Sequence, residues 1–200
     1  DVVIIGGGSG GVAAAAGAAK AGAKTILVER YGFLGGSATN AGVLAYCGLF
    51  IQGATRPVRV VEGVANDTLA HLSDLGIDTT PQQSASTGNW VLPLNPEALK
   101  IALDRTVDGA GAAIAFHTSV VGAECANGCI ETIKLVDHSG VRTIAARAFI
   151  DASGECNLAH ICGAEASPRF GANHAKAPAS YPLRIAGISG DLVLDRAAVA

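Results

Sequence analysis

Three glycines spaced Gly6-x-Gly8-x-x-Gly11, in the stretch IIGGGSGG, are the residues of this chain whose spacing points most directly to chemistry. That chemistry belongs to bare backbone. A tight turn at the first glycine, no β-carbon at the second to block a diphosphate, and close approach of helix and strand at the third are separate physical tasks. The helix start that follows offers unpaired N–H groups and a partial positive charge to an anion. Glu29 lies 18 residues beyond Gly11, at the end of a second apolar run. A carboxylate there accepts the hydroxyls of an adenosine ribose and repels a 2′-phosphate. The residues therefore ask for an unphosphorylated dinucleotide, with FAD and NAD both open at this point.

For those glycines to work they must sit between a strand and a helix. Residues 1–5 form an apolar β-prone run, 11–22 an alanine-rich helix closed by glycine, and 25–28 a second strand. Such a β-α-β unit makes its two strands parallel and adjacent, with a right-handed connection. Residues 31–46 read as a loop with a short helix near 37–43. Val60, Val61, Val64, Leu69, Leu72 and Leu75 suit one face of a helix over 58–75. The polar stretch 79–91 reads as a loop, and Asn95 caps a helix that starts at Pro96 and runs to about 107. Strand-like runs follow at 113–116, 119–125, 129–136 and 141–150. The turns Asn127-Gly128 and Ser139-Gly140 join the last three into an antiparallel meander. Asp151-Ala152-Ser153-Gly154 ends it, 155–164 is helical, and 167–181 is loop.

The predicted class is α/β: a Rossmann-like, three-layer FAD/NAD(P)-binding fold with a central parallel sheet, a helix layer and an antiparallel β-meander. Residues 1–45 and 95–165 make the dinucleotide-binding domain, 46–94 a helical and loop insertion, and 166–200 the start of a substrate domain that is cut off. Half the residues are apolar, enough to bury a full core. With 16% charged residues and a net charge of -3, no basic field exists to hold nucleic acid. No apolar run reaches the roughly 18 to 20 residues of a membrane span. Five cysteines, an odd number, fit a reducing compartment, so the cytoplasm is expected. With no methionine, and with Asp1 and Ala200 as its ends, the chain is expected to be an N-terminal fragment of a longer protein.

A wider pattern narrows the choice of dinucleotide. Gly6-x-Gly8-x-x-Gly11-x3-Ala15-x6-Gly22, followed by Glu29-x5-Gly35-Gly36, resembles the extended FAD-binding fingerprint of the glutathione reductase-like flavoprotein superfamily. Thr25 departs from it where valine is usual. FIDASGECNLA is similar to the later strand and turn of those proteins, and GFLGGSAT to the early loop of one FAD-dependent oxidoreductase family within them. The likeness covers most of residues 1–165. It implies that Gly6, Gly8, Ser9, Gly10 and Gly11 surround the diphosphate and that Glu29 holds the adenosine ribose. It places Arg30 and Val120 by the adenine, Gly35, Gly36, Ser37 and Ala38 by the ribityl and phosphate groups, and Ser153 and Gly154 beside the dinucleotide. A C-terminal strand and helix beyond Ala200 would complete the site. Glu155-Cys156-Asn157 departs where the family carries Asp-Gly-Asp, and cysteine there removes positive-φ freedom.

The resemblance implies an FAD-dependent oxidoreductase that moves a hydride between a small organic substrate and flavin, reoxidised by a separate acceptor or a partner protein. An NAD-dependent dehydrogenase, or a noncatalytic module, are the alternatives. Flavin carries the electron transfer, so few catalytic side chains are required. A Cys-x4-Cys redox pair is missing: only Cys47 follows the glycine loop, as an active-site thiol, an attachment point or a buried packing residue. His160 and His174 are the proton-handling candidates, ahead of His71, His117 and His138. Arg169 and Arg184 could clamp a carboxylate substrate. Cys125 and Cys129 flank a hairpin turn, but no second ligand pair at zinc spacing exists, so no metal is expected.

Overall fold

A computed structural model describes residues 1–85, 87–164 and residue 187. In chain order its elements are β1 (Val2–Ile5), α1 (Ser9–Lys20), β2 (Thr25–Val28), α2 (Ser37–Asn40), β3 (Ala45–Tyr46), α3 (Val64–Asp74), β4 (Gln82–Gln83) and β5 (Trp90–Pro93). There follow α4 (Pro96–Gly109), β6 (Ala113–Ala115), β7 (Ser119–Ala126), β8 (Cys129–Asp137), β9 (Gly140–Ala145), β10 (Ala148–Asp151) and α5 (Asn157–Ile161).

The central sheet has the order β10-β1-β2-β6, with every pairing parallel. Alternation along β1 sends Ile4 to one face and Val3 and Ile5 to the other, so both faces need cover. Ile4 joins Val12 and Ala15 of α1, Leu27 of β2, and Leu99, Leu103 and Val107 of α4. Val3 and Ile5 pack with Ile133 and Leu135 of the antiparallel meander β7-β8-β9. Helices, sheet and meander are thus the three expected layers. Each fully buried leucine or isoleucine contributes about 1.5–3 kcal/mol.

Small side chains let α1 lie close on the sheet: Ala15 and Ala16 are fully buried. Thr25 is tolerated in the buried β2 because its hydroxyl donates to the Ala23 carbonyl at 3.0 Å. Helix α4 starts as its sequence asks, with Asn95 Oδ1 accepting from the N–H groups of Glu97 and Ala98, both at 3.1 Å. It ends at Gly109, slightly past the expected limit.

Several expectations need correction. Helix α1 begins at Ser9, not Gly11, because the turn geometry at Gly8 starts it despite the poor helix propensity of glycine. The helix expected over 58–75 is only Val64–Asp74. Upstream, Ile51 N–H donates to Val58 O and Val60 N–H to Leu49 O, and this local ladder leaves Val60 and Val61 exposed. Part of the loop expected over 79–91 is strand, since β4 and β5 pair antiparallel and β5 also pairs with β3. Leu49, Phe50, Leu72 and Leu92 of residues 46–94 are buried in the same cluster as Ile4 and Leu27.

The run 141–150 is two strands. Asp1 O accepts from Arg147 N–H (3.0 Å) and Ala148 N–H (3.1 Å), which breaks the meander and sends β10 parallel along β1. Cys125 and Cys129 do not oppose one another, because Cys125 pairs with Ile130 and Cys129 with Ala126. Cys125 instead meets Cys162 beyond α5. Burial, then the hydrogen bond and charge of Cys125, push the Cys162 thiol up to about 11. All five cysteines are free.

Candidate cofactor site

Because β1, β2 and β10 run parallel, their C-terminal ends meet on one side of the sheet, where open α/β folds bind ligands. A cleft of about 1000 Å³ opens there. That is the top of the roughly 300–1,000 Å³ range of small-molecule and cofactor sites. The register Ile5↔Asp151 carries the glycine turn and the Asp151-to-Gly154 turn out of neighbouring strands together.

Thirteen sequence-predicted residues line this cleft. Gly6, Gly8, Ser9 and Gly10 form one wall, and Glu29 and Arg30 lie at the end of β2. Gly35, Gly36, Ser37 and Ala38 stand opposite the glycine turn. Val120 enters from the meander, with Ser153 and Gly154 after β10. Gly11 is the exception. It lies under the turn, where an added β-carbon would stand 1.8 Å from Gly6 O, so its task is the close approach of helix and strand.

The front of the turn differs from its rear. A β-carbon at Gly8 would meet nothing nearer than Gly36 Cα at 3.9 Å, and one at Gly10 would meet nothing within 4 Å. Gly8 caps α1 without a side-chain bond, and the first backbone bond of the helix runs from Val12 N–H to Gly8 O. The N–H groups of Ser9, Gly10 and Gly11 therefore have no partner within the helix. A diphosphate fits this donor set: backbone donors, a helix N-terminus and open space before a glycine.

Glu29 is buried, at 6% exposure, and already holds two backbone groups. Its Oε2 accepts from Gly7 N–H at 2.6 Å and its Oε1 from Tyr31 N–H at 2.8 Å. Each carboxylate oxygen retains a lone pair for a further donor. A β-carbon at Gly7 would stand 2.4 Å from Leu34 Cδ2 and 3.0 Å from Glu29 Oε2, so the middle glycine of the run makes room for the acid. That task was not read from the sequence.

Asp151 was read only as part of a turn. Its Oδ1 accepts from the Ser153 N–H (3.0 Å) and hydroxyl (2.7 Å), and its Oδ2 from Ala159 N–H (2.9 Å). Burial alone would raise its carboxyl, but the Ser153 hydroxyl and the amides of Ala159, Ser153 and Leu158 outweigh it, and the net direction is down. One side chain thereby fixes both the turn and the start of α5.

At the departure Glu155-Cys156-Asn157, Glu155 lies 3.8 Å from Arg30 across the cleft edge. Cys156 is held at φ 56, ψ 39, the left-handed region that suits glycine. Replacing it should remove that strain. Cys156→Gly is expected to stabilise the protein by about 1 kcal/mol, read as a higher urea midpoint at unchanged m; an unchanged or lower midpoint would show that the thiol compensates for the backbone.

The chemistry candidates fare differently. Cys47 is exposed, with its Sγ 3.8 Å from Ala45 O, which corrects the buried-packing reading, and it is not among the residues that line the cleft. His160 is exposed on α5 and also stands outside the cleft lining. His174, Arg169 and Arg184 lie outside the described residues. Tyr46, missed at first, lines the cleft from β3. An aromatic residue behind the glycine loop was its only signal. Among the described residues no group of three His, Cys, Asp or Glu side chains could hold a metal ion.

Sheet, cleft and donor set together define a dinucleotide-binding protein of the Rossmann-like class. A family model described as FAD dependent oxidoreductase matches residues 1–197, and the chain belongs to that family. FAD is accordingly the cofactor, which decides the choice left open by the β-α-β unit. Among solved structures, the chain is similar to a geranylgeranyl bacteriochlorophyll reductase-like protein from Thermoplasma acidophilum (21% identity, TM-score 0.52, covering 82% of this chain and 41% of that one). It is also similar to THI4 from Thermovibrio ammonificans (18%, 0.51, 82% and 62%). A third is 3-ketosteroid-Δ4-(5α)-dehydrogenase from Rhodococcus jostii RHA1 (17%, 0.52, 76% and 45%). At these identities the likeness shows the fold, and the chain spans between 41% and 62% of those structures' lengths. No curated protein matches the chain.

Proposed function

We propose that the chain forms the FAD-holding part of an oxidoreductase that passes a hydride between a small organic substrate and flavin. A separate electron acceptor, or a partner protein, reoxidises it. The observation that carries this reading is the convergence of the glycine turn, Glu29 and the Asp151-to-Gly154 turn on one cleft. In it, the N–H groups at the start of α1 hold the diphosphate beside Gly8, Ser9 and Gly10. Glu29 takes the adenosine ribose, with Arg30 and Val120 at the adenine. Gly35 to Ala38 follow the ribityl chain, and Ser153 and Gly154 flank the dinucleotide. Bound flavin supplies the two-electron chemistry, while these residues bind and orient it.

Residues 1–45 and 95–165 are the proposed cofactor unit and 46–94 its insertion, with a substrate region beginning near 166. Five free cysteines support a reducing compartment, hence the cytoplasm. No helix among the described residues is long and apolar enough to cross a membrane.

The test is the full-length protein's visible spectrum, followed by identification of the cofactor released on denaturation and anaerobic mixing with small organic reductants. Bands near about 370 and 450 nm, the latter bleaching more slowly with a substrate deuterated at the donor carbon, are expected of flavin accepting a hydride. A flavin that no substrate bleaches points to a noncatalytic holder. A protein that takes up no flavin overturns the reading.

A further inference from the structure

We propose that Glu155 is a positioning residue of the dinucleotide site: it holds the Arg30 guanidinium over the diphosphate space and yields that cation to the phosphates when the cofactor enters. The inference rests on the flavin-cleft reading above and deepens it, giving a task to the acid at the departure from Asp-Gly-Asp. Arg30 lies just past the end of β2 and Glu155 in the turn after β10, and their side chains approach to 3.8 Å. In the sheet order β10-β1-β2 the strand between them is β1, whose end carries the glycine turn. The pair therefore spans the crevice in which a dinucleotide lies down on that turn, and both residues line the cleft.

Arg30 is the one cation among the described residues that line the cleft, against three acids. Two of those acids are committed to the backbone, Glu29 to Gly7 and Tyr31, and Asp151 to Ser153 and Ala159. The third, Glu155, holds Arg30 only loosely. At 3.8 Å the contact is longer than a hydrogen bond, and the side chains are 47% (Arg30) and 68% (Glu155) exposed, so screened attraction between charges is all that maintains it. Tyr31 supplies a second hold: the Arg30 guanidinium lies 5.0 Å from the centre of its ring, which is stacked in turn on Phe33. Among the described residues the guanidinium makes no hydrogen bond, so its planar fork of five N–H donors is left for an acceptor. A diphosphate is the better partner, because it carries more charge and accepts bidentately from arginine. The head of Arg30 thus changes partner, while its stem stays beside the adenine.

The full-length protein, stripped of cofactor, is titrated calorimetrically with FAD and with ADP. Glu155→Gln keeps the size of the side chain and removes the competing charge. It is expected to tighten both ligands by about threefold, the value of an exposed ion pair that no longer has to be broken. Arg30→Gln should weaken both by about tenfold, the lower end for hydrogen bonds to a charged group. Placed in the Arg30→Gln protein, Glu155→Gln should gain nothing, because the carboxylate acts through the arginine. Added salt should lower ADP affinity more steeply in Glu155→Gln than in the wild type, where screening also releases Arg30 from its competitor. Both side chains are exposed, so urea midpoints should stay near that of the wild type, and Glu155→Ala repeats the test with the carboxylate deleted. Unchanged or weaker ADP binding in Glu155→Gln overturns the proposal. So does an equal gain in the Arg30→Gln protein, which would make Glu155 a plain repeller of phosphates. Failure of the wild type itself to bind FAD overturns the flavin-cleft reading instead.

Discussion

A Gly8→Val protein is expected to fold nearly as well as the wild type and to bind no measurable FAD. The backbone at Gly8 has φ -69 and ψ -177, an extended conformation that valine adopts without strain. Its new β-carbon would meet only Gly36 Cα, at 3.9 Å, an ordinary contact distance. Exchanging glycine for valine at a helix N-cap costs about 1 kcal/mol or less. The branched side chain instead fills the space in which the diphosphate must approach the first N–H groups of α1, so affinity should fall on the order of 100-fold or more. Gly11→Ala is the contrasting control. Its β-carbon would lie 1.8 Å from Gly6 O, a clash that only separation of α1 from β1 relieves, costing about 3 kcal/mol or more of stability. Urea unfolding and flavin titration of the two variants separate binding from folding. A Gly8→Val protein that retains stoichiometric flavin would place the diphosphate elsewhere.

The contrast also marks what a local reading of the chain can reach. Turn, helix and acid over Gly6 to Glu29 were legible because each task is set by residues within a few positions of one another. The cap at Asn95-Pro96 was legible for the same reason. Nothing local, however, distinguishes Val141 to Ala145 from Ala148 to Asp151: the intervening Ala146-Arg147 is neither a turn former nor a breaker. The break is imposed by the carbonyl of Asp1, far away in sequence, which accepts from Arg147 and Ala148 and holds β10 along β1. That tertiary contact delivers Asp151, Ser153 and Gly154 to the cleft. Their membership in the site came from resemblance to the flavoprotein pattern, and its cause is parallel pairing.

Residues 45–93 were the least legible, and the reason is again the range of the contacts. Strands β3 and β4 have two residues each, too short for alternation to register, and they exist because β5 pairs with both. Tyr46 is carried to the cleft by that pairing alone. Cys156 is the reverse case. The departure from Asp-Gly-Asp flagged a position needing positive φ, and φ there is 56, so a single residue out of pattern located local strain.

Glu29→Ala is expected to damage both folding and cofactor binding, and the two losses have separate origins. Both carboxylate oxygens are engaged, by Gly7 N–H at 2.6 Å and Tyr31 N–H at 2.8 Å, so alanine strands two backbone donors and opens a gap beside Leu34 and Gly7. A buried donor left without a partner costs about 1–3 kcal/mol, which puts the stability loss at about 2–4 kcal/mol once water reaches the less buried Tyr31 amide. Loss of the ribose contact should weaken FAD by about 1.5–3 kcal/mol beyond that, the range for hydrogen bonds to a charged group. Glu29→Gln separates the terms. Its amide oxygen satisfies one backbone N–H while its NH2 confronts the other, so it should fall between wild type and alanine in urea midpoint. Flavin titration in conditions where each variant is fully folded then isolates the ribose contact. If Glu29→Ala lowers the urea midpoint but leaves the FAD dissociation constant unchanged, the acid is a lock between the glycine turn and β2, and the ribose must find its acceptor elsewhere in the cleft.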